Sequence, residues 1–291
     1  MIVDTSFNPR PFFVAPEQPR KDTLQVVLSD THSGSNFALF LPRVWNGKKG
    51  NNHTPTSSQL KIRERFLIYA DEIRQMRQGK KIRLVHDGDA IDGDHHASGD
   101  VCTLNPLEQA DIHIELMIEL QRLIDWQAGD ELYYLKGTKV HVGEFENYIG
   151  RELNAVSDGE FYSWEYLELE TNGVMSWFVH HGPGRGEGAN EGNPVKNWLK
   201  NIYFEALKDK RRIPDIVYTG HVHSPTYNTH VYREKMNFKT MHGIILPSWQ
   251  MKTEYAWMKV PVSKNKIGGV VHEIKADGTI TTPYFSIMEG D

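Results

Sequence analysis

Residues 82–95 read I-R-L-V-H-D-G-D-A-I-D-G-D-H. The aliphatic start predicts a short buried strand, and Gly88-Asp89 predicts the turn that ends it. In open α/β sheets, ligands bind beyond the C-terminal ends of the strands. Carboxylates crowded at such an end repel one another unless a cation lies between them. The stretch therefore predicts a strand that carries metal ligands at its end.

The chain around this stretch alternates between predicted strands and helices. Strands are predicted at 24–29, 82–85 and 132–135. Helices are predicted from an N-cap at Ser57 or Ser58 to a stop at Gly79, and over 107–127. This alternation is typical of an α/β fold whose parallel strands end side by side.

The second half of the chain predicts further strands and one more long helix. A short helix is expected near 144–153, a hairpin around Thr171-Asn172-Gly173, and a helix at about 195–208. Later strands are expected at 215–218, 227–232, 242–246, 270–274 and 279–284, the last two joined through Asp277-Gly278.

The sequence predicts one large domain. Residues 1–22 contain four prolines and are expected to form an N-terminal arm, whereas 23–291 show no composition break and are expected to form a single domain. Residues 35–58 are rich in Asn, Gly, Pro and Lys, which predicts a surface loop beside the site.

Composition excludes several classes of protein. The chain has 291 residues, a net charge of -5 and a single cysteine, Cys102, so an intrachain disulfide and a cysteine-based zinc site are excluded. The mild negative charge does not indicate a broad surface for nucleic acid. No apolar run could span a bilayer, and the N-terminus lacks signal-peptide features, so we expect a cytoplasmic protein without a membrane partner.

Side chains of the kind that bind metals occur at five predicted strand ends. They are Asp30 and His32; Asp89 and Asp92; His141; His180 and His181; and His221 and His223. Oxygen and nitrogen ligands without thiolate suit Mn, Fe, Zn or Ni, of which we favour Mn. One ion cannot use so many ligands, but two ions bridged by Asp89 could hold a phosphate oxygen and a shared hydroxide that attacks phosphorus.

These blocks, in this order over about residues 24–225, resemble the calcineurin-like metallophosphoesterase superfamily. The resemblance implies an α/β/β/α sandwich of four layers, in which two mixed sheets lie between helices and a binuclear site lies at the strand ends. It implies that Asp30, His32, Asp89 and His223 hold one metal, and that Asp89, His180 and His221 help to hold the other. Finer features further resemble uncharacterised phage and prophage members.

The third block departs from the family pattern. The family usually has Gly-Asn-His, with Asn as a metal ligand and His as the acid, whereas this chain has Gly137-Thr138-Lys139-Val140-His141. Thr138 is a poor neutral ligand, so the second metal site is expected to be weaker, or to be completed by water or by His141. We expect His141 to be the general acid. If His141 binds metal instead, His95 or His96 is the next candidate.

Other candidate residues have more than one interpretation. His180 is the preferred ligand of the fourth block, but His181-Gly182 fits a variant of the same motif. Asp92 is a candidate catalytic residue, although bracing the loop or orienting a histidine explains it better. Arg185 is expected to contact the substrate phosphate, because a guanidinium binds phosphate through two hydrogen bonds.

The sequence therefore predicts a metal-dependent phosphoesterase. We expect a phosphodiester of a nucleotide or nucleic acid as substrate, because the segment 35–58 could form a long rim beside the site. The alternatives are a phosphomonoesterase, a nuclease tolerant of sequence, or a metal-binding module that has lost turnover. The sequence does not indicate an oligomeric state.

Overall fold

The computed structural model describes residues 20–48, 52–93, 100–139, 143–184, 186, 190–253 and 265–290. Within these ranges the chain forms two five-stranded sheets, a two-stranded sheet and four named helices. In chain order the elements are β1 Thr23–Leu28, β2 Trp45–Asn46, β3 Asn52–His53, α1 Ser57–Arg77, β4 Lys81–Asp87, α2 Pro106–Leu123, β5 Glu131–Leu135, α3 Phe145–Glu152, β6 Leu167–Thr171, β7 Val174–Phe178, α4 Asn193–Lys208, β8 Ile216–Thr219, β9 Thr226–Glu234, β10 Asn237–Ile245, β11 Lys266–Ile274 and β12 Tyr284–Glu289. The arm predicted over 1–22 lies almost wholly outside the described residues.

The first sheet has the order β12-β11-β1-β4-β5. Strands β1, β4 and β5 are parallel, as the alternation of strands and helices predicts, and β11 and β12 add antiparallel strands at the other edge. The sheet is therefore mixed, and the C-terminal ends of β1, β4 and β5 lie along one of its edges.

Helices α1, α2 and α3 pack with the first sheet around one hydrophobic cluster. Helix α1, predicted from the sequence, buries one apolar face that includes Ile62, Phe66 and Ile73. The N-cap is Thr56, one residue before the first of the two predicted caps, and it forms a capping box with Gln59.

The second sheet has the order β6-β7-β8-β10-β9, with β7, β8 and β10 parallel. The predicted hairpin around Thr171-Asn172-Gly173 is confirmed as β6 and β7. A second cluster joins residues of both sheets, among them Val85 and Phe178. A third cluster packs α4 against the second sheet, through residues that include Leu199 and Ile245.

The last predicted strands are partly wrong. The strands predicted at 227–232 and 242–246 are longer, and they form a direct hairpin from Thr226 to Ile245. The predicted turn at Asp277-Gly278 is present and is followed by an isolated antiparallel bridge, Ile274↔Ile280, but no continuous strand covers 279–284. Strand β12 begins only at Tyr284 and pairs with β11 in the register Val271↔Tyr284.

The described part of segment 35–58 is only partly the surface loop that the sequence predicts. Residues 38–41 are buried in the first cluster, and only part of the segment, including 42–44, is exposed. Two short strands, β2 and β3, pair within it. Among the described helices, none is long and apolar enough to cross a membrane.

Candidate metal centre

The predicted ligands come from the ends of strands in both sheets. Asp30 follows β1 and Asp89 follows β4 in the first sheet, while His180 follows β7 and His221 follows β8 in the second. Within each sheet these strands are parallel neighbours. Because parallel strands end at the same edge, side chains far apart in sequence reach one place.

One set of ligand atoms consists of Asp30, His32 and His223, which we call the first group. The two imidazoles face each other, with 3.3 Å between their Nε2 atoms. Asp30 Oδ1 lies 3.1 Å from His223 Nε2 and 3.9 Å from His32 Nε2. The three ligand atoms therefore surround one point.

A second set consists of Asp89, His180 and His221, which we call the second group. Asp89 Oδ2 lies 3.1 Å from His180 Nε2 and 3.9 Å from His221 Nδ1. His180 Nε2 is also 4.0 Å from Asp30 Oδ1, so the two groups adjoin and form one site.

The two carboxylates are charged at neutral pH. Burial alone would raise the pKa of Asp30 and of Asp89, but the neighbouring histidines, His223 and His180 foremost, hold both pKa values well below the usual range. Burial would likewise lower the pKa of His180, yet its hydrogen bond to Asp89 and the nearby carboxylate charges raise it to about 10. The two buried carboxylates thus attract positive charge strongly, which either a protonated histidine or a metal ion can supply.

Most of the predicted ligands have an unusual backbone conformation. Asp30, His32, Asp89, His221 and His223 all have positive φ, between 41° and 67°. Such angles are uncommon outside glycine, although Asp and His tolerate them better than most residues. Strained residues of this kind cluster at functional sites.

Glycines let the loops approach closely enough to form the site. A Cβ on Gly88 would clash with the His180 ring, and one on Gly137 would clash with the backbone nitrogen and Oδ1 of Asp89. A Cβ on Gly220 would clash with Ser29 and would lie 2.9 Å from Asp30 Oδ2. Side chains at these three positions would fill the space between the ligands.

Asp92 acts on the site through His32. Its Oδ1 lies 3.1 Å from His32 Nδ1, and Gln250 Nε2 donates a 3.1 Å hydrogen bond to the same oxygen. Asp92 therefore fixes the imidazole so that Nε2 faces Asp30 and His223. This geometry fits the orienting role that the sequence favoured.

A buried polar layer lies behind the first group. Thr31 Oγ1 lies 2.9 Å from His86 Nε2 and 3.2 Å from His113 Nδ1, and His113 Nε2 lies 2.9 Å from the Tyr134 hydroxyl. Burial lowers the pKa of His86 to about 3 and that of His113 well below its usual value. Both rings are therefore neutral, and they hold Thr31, which lies between the predicted ligands Asp30 and His32, by hydrogen bonds.

A further buried carboxyl ties two loops of the site together. Glu146 on α3 accepts hydrogen bonds from the backbone nitrogens of Gly137, at 3.2 Å, and Ala90, at 3.4 Å. Burial and the charge of Asp89 raise its pKa to about 8. Neither Glu146 nor Gln250 belongs to a sequence motif, so the sequence offered no signal for them.

Several predicted residues lie outside the described part of the chain. These are His141, Arg185, and the alternative acids His95 and His96. His181 is described and exposed, and its ring centroid lies 4.9 Å from that of His180 and 4.5 Å from that of His221. The groups of ligand atoms contain His180 rather than His181.

No protein-family model matches the sequence, and no curated protein sequence matches it either. Solved structures similar to the chain include a conserved uncharacterised protein of Streptococcus pneumoniae, described as a predicted phosphoesterase. That structure has 12% identity and a TM-score of 0.32, and the match covers 91% of this chain and 98% of that one.

Two other similar structures carry the names of enzymes or enzyme families. The NAD nucleotidase of Haemophilus influenzae has 11% identity and a TM-score of 0.41; the match covers 92% of this chain but only 50% of that one. A metallophosphoesterase from Sphaerobacter thermophilus has 11% identity and a TM-score of 0.34, covering 92% of this chain and 89% of that one. At these values the similarity transfers no activity, so the function rests on the geometry of the site itself.

Proposed function

We propose that the protein is a metal-dependent phosphoesterase that holds two divalent ions, one in the first group and one in the second. The observation that supports this most directly is that predicted ligands from distant parts of the chain lie together. Six predicted ligands from four strand ends form two adjoining sets, each with its ligand atoms within 4.8 Å of one another. The donors are oxygen and nitrogen atoms, which suit Mn, Fe, Zn or Ni, and we propose Mn.

Two bound ions would polarise the phosphoryl oxygens and lower the pKa of a water molecule. Asp89 is the proposed bridging ligand, because its carboxylate contacts His180, which in turn lies 4.0 Å from Asp30. Asp92 orients His32, as its 3.1 Å contact with Nδ1 indicates. The chain's own contribution is therefore a rigid, buried site with two carboxylates that would hold the ions.

His141 and Arg185 complete the proposal from outside the described residues. We propose that His141 donates a proton to the leaving group and that Arg185 binds the phosphate, as their positions after β5 and β7 in the sequence indicate. His180 is the proposed ligand of the fourth block, since it belongs to the second group.

The fold proposed with this function is a four-layer sandwich within a single domain over 23–291. The three hydrophobic clusters support it, because they lie between the first helices and the first sheet, between the two sheets, and between the second sheet and α4. The proposed substrate is a phosphodiester of a nucleotide or nucleic acid. The partly buried segment 35–58 gives that preference less support than the sequence alone did.

The test compares hydrolysis of p-nitrophenyl phosphate and of bis(p-nitrophenyl) phosphate by the purified chain with Mn²⁺. Wild type is expected to hydrolyse at least one ester, and the diester faster. Asp89→Asn removes the charge of the proposed bridge and is expected to abolish turnover. The matched control is Asp71→Asn on α1, where the side chain is 46% exposed.

Three other results would each favour a different function. Faster monoester hydrolysis would replace the diester by a phosphomonoesterase function. Metal binding without turnover of either ester would favour a binding module. Salt-sensitive binding and cleavage of DNA would instead identify a nuclease.

A further inference from the structure

We propose that the two metal sites are unequal, with Thr138 as the fourth protein donor of the second group and with that group binding its ion more weakly. This inference rests on the proposed two-ion function and deepens it. It concerns the order in which the ions bind.

The Thr138 hydroxyl lies beside the second group. The backbone nitrogen of Thr138 donates a 2.6 Å hydrogen bond to Asp89 Oδ1, which fixes the main chain beside the second group. The hydroxyl Oγ1 then lies 3.2 Å from Asp89 Oδ2 and 3.4 Å from His221 Nδ1. An oxygen this close to two ligand atoms of the same group faces the point that they surround.

The fold holds the first group rigidly. Asp30 accepts hydrogen bonds from the backbone nitrogen of His221, at 3.0 Å and 3.2 Å, and from the Ser29 hydroxyl. His32 is oriented by Asp92. The most exposed ligand of this group, His223, has a side chain that is only 19% exposed. Little ordering is therefore needed when an ion binds.

The second group is less well prepared. His180 is held there by its Nδ1 atom, 2.6 Å from the Asp87 carbonyl oxygen. The His221 side chain, by contrast, is 46% exposed, and the fourth donor is a neutral hydroxyl. Binding must order this imidazole and strip its water. With Asp89 as the proposed bridge, the first ion would have two carboxylate ligands, whereas the second would have one carboxylate and an uncharged hydroxyl, which attracts a cation less strongly.

The consequence is sequential binding. At low metal concentration the first group is filled and the second is largely free, so the two-ion state requires a higher concentration. Since the proposed reaction needs both ions, its dependence on metal would follow the weaker site.

The test titrates Mn²⁺ alone into the purified full-length chain, with calorimetry for affinity and electron paramagnetic resonance for pairing of the ions. Wild type is expected to bind one ion first and a second at least about tenfold more weakly. The figure is the lower end of the loss in metal affinity that follows when a metal ligand loses its supporting contacts. The signal of isolated Mn²⁺ should fall as the pair forms.

Thr138→Val keeps the shape and the backbone hydrogen bond but removes the hydroxyl. It is expected to weaken only the second binding event, by about tenfold. Thr138→Ser retains the hydroxyl and is expected to bind the second ion with the wild-type affinity. His221→Gly removes the imidazole and suits the positive φ of this position, so it should lose the weaker ion and keep the tighter one.

Two equal affinities in wild type would overturn the inference, and so would unchanged second-site binding in Thr138→Val. Both outcomes would leave the proposed phosphoesterase in place. If wild type bound no Mn²⁺ at all, the proposed function would fail first, so the two failures are distinguishable.

Discussion

The loop after β5 passes so close to Asp89 that position 137 accepts no side chain. A Cβ on Gly137 would clash with the backbone nitrogen and Oδ1 of Asp89 and would lie 2.9 Å from its Cα. Carbon atoms in contact are normally about 3.5–4.0 Å apart, so Gly137→Ala must separate the two loops by at least about 0.6 Å. The substitution therefore moves Asp89 and Thr138 apart.

The expected effect is large on activity and moderate on stability. A misplacement of about 1 Å in a catalytic arrangement lowers the rate about 100-fold, so we expect kcat/KM for the phosphodiester to fall by nearly that factor. Overpacking of this kind lowers the free energy of unfolding by about 1–3 kcal/mol, which leaves a typical domain folded. Hydrolysis at saturating Mn²⁺ and denaturant unfolding measure the two effects.

Gly243→Ala provides a matched control far from the site. Its Cβ would lie 2.8 Å from Val195 Cγ1 and 2.9 Å from Leu199 Cδ1, in the cluster between β10 and α4. It should lower stability to a similar extent and leave kcat/KM unchanged. The reasoning is refuted if Gly137→Ala keeps wild-type kcat/KM and Mn²⁺ affinity, or if Gly243→Ala loses as much activity.

Three further predictions concern the ions and acid stability. Asp92→Ala should weaken Mn²⁺ binding by the first group about 10–100-fold, whereas Asp92→Asn should retain most of it; equal calorimetric affinities for wild type and Asp92→Ala would contradict the orienting role. Mn²⁺ at about 100 times its dissociation constant should stabilise wild type by about 2.7 kcal/mol per site, seen as a rise in Tm that EDTA reverses; a wild-type Tm that ignores Mn²⁺ would count against metal binding. Burial, aided by the charge of His242, lowers the pKa of His272 to about 3. The contribution of neutral His272 to the free energy of unfolding is therefore fully present above about pH 6.5 and is lost as the pH falls towards 3. Between pH 7 and pH 5, the free energy of unfolding of wild type should fall by about 2 kcal/mol more than that of His272→Gln, as measured by denaturant unfolding. Equal decreases would disprove that account.

The elements predicted correctly are those whose signals are local. The burial of Ile62, Phe66 and Ile73 follows from a helical repeat that is visible in the sequence itself. Strand β4 follows from a short aliphatic run with a glycine turn after it. The N-cap was misplaced by one residue, because Thr56, Ser57 and Ser58 all suit a cap, and only the contact with Gln59 separates them.

The errors near the C-terminus have a different cause. The strand β10 is exposed at 237–240 and buried only towards its end, so hydrophobic residues mark half of it. Its partner β9 is mostly exposed or half-buried. Similarly, β12 starts after Pro283, where the pairing with β11 rather than local composition sets its position. Edge strands such as β9 and β12 carry little signal, because burial on one face is incomplete.

At the site, residue type indicates the side chains that form the two groups but not the residues that support them. Carboxylates and imidazoles directly after strands are a pattern that the sequence displays. Gln250 acts on Asp92 across 158 residues, and Glu146 acts on backbone nitrogens rather than on side chains. Such roles depend on contacts between distant segments, so no local pattern predicts them.

The backbone conformation of the predicted ligands gives a second reason for their residue types. A side chain in the left-handed region costs roughly 1–2 kcal/mol, and five of the predicted ligands have positive φ. Hydrogen bonds between loops hold the strained residues: the backbone nitrogens of Asp30 and His32 donate, each at 3.0 Å, to the carbonyl oxygens of Gly88 and Asp89. Asp and His tolerate this region better than most residues. The same side chains therefore suit both the metal and the sharp turn out of each strand, and substituting another residue type would disturb both at once.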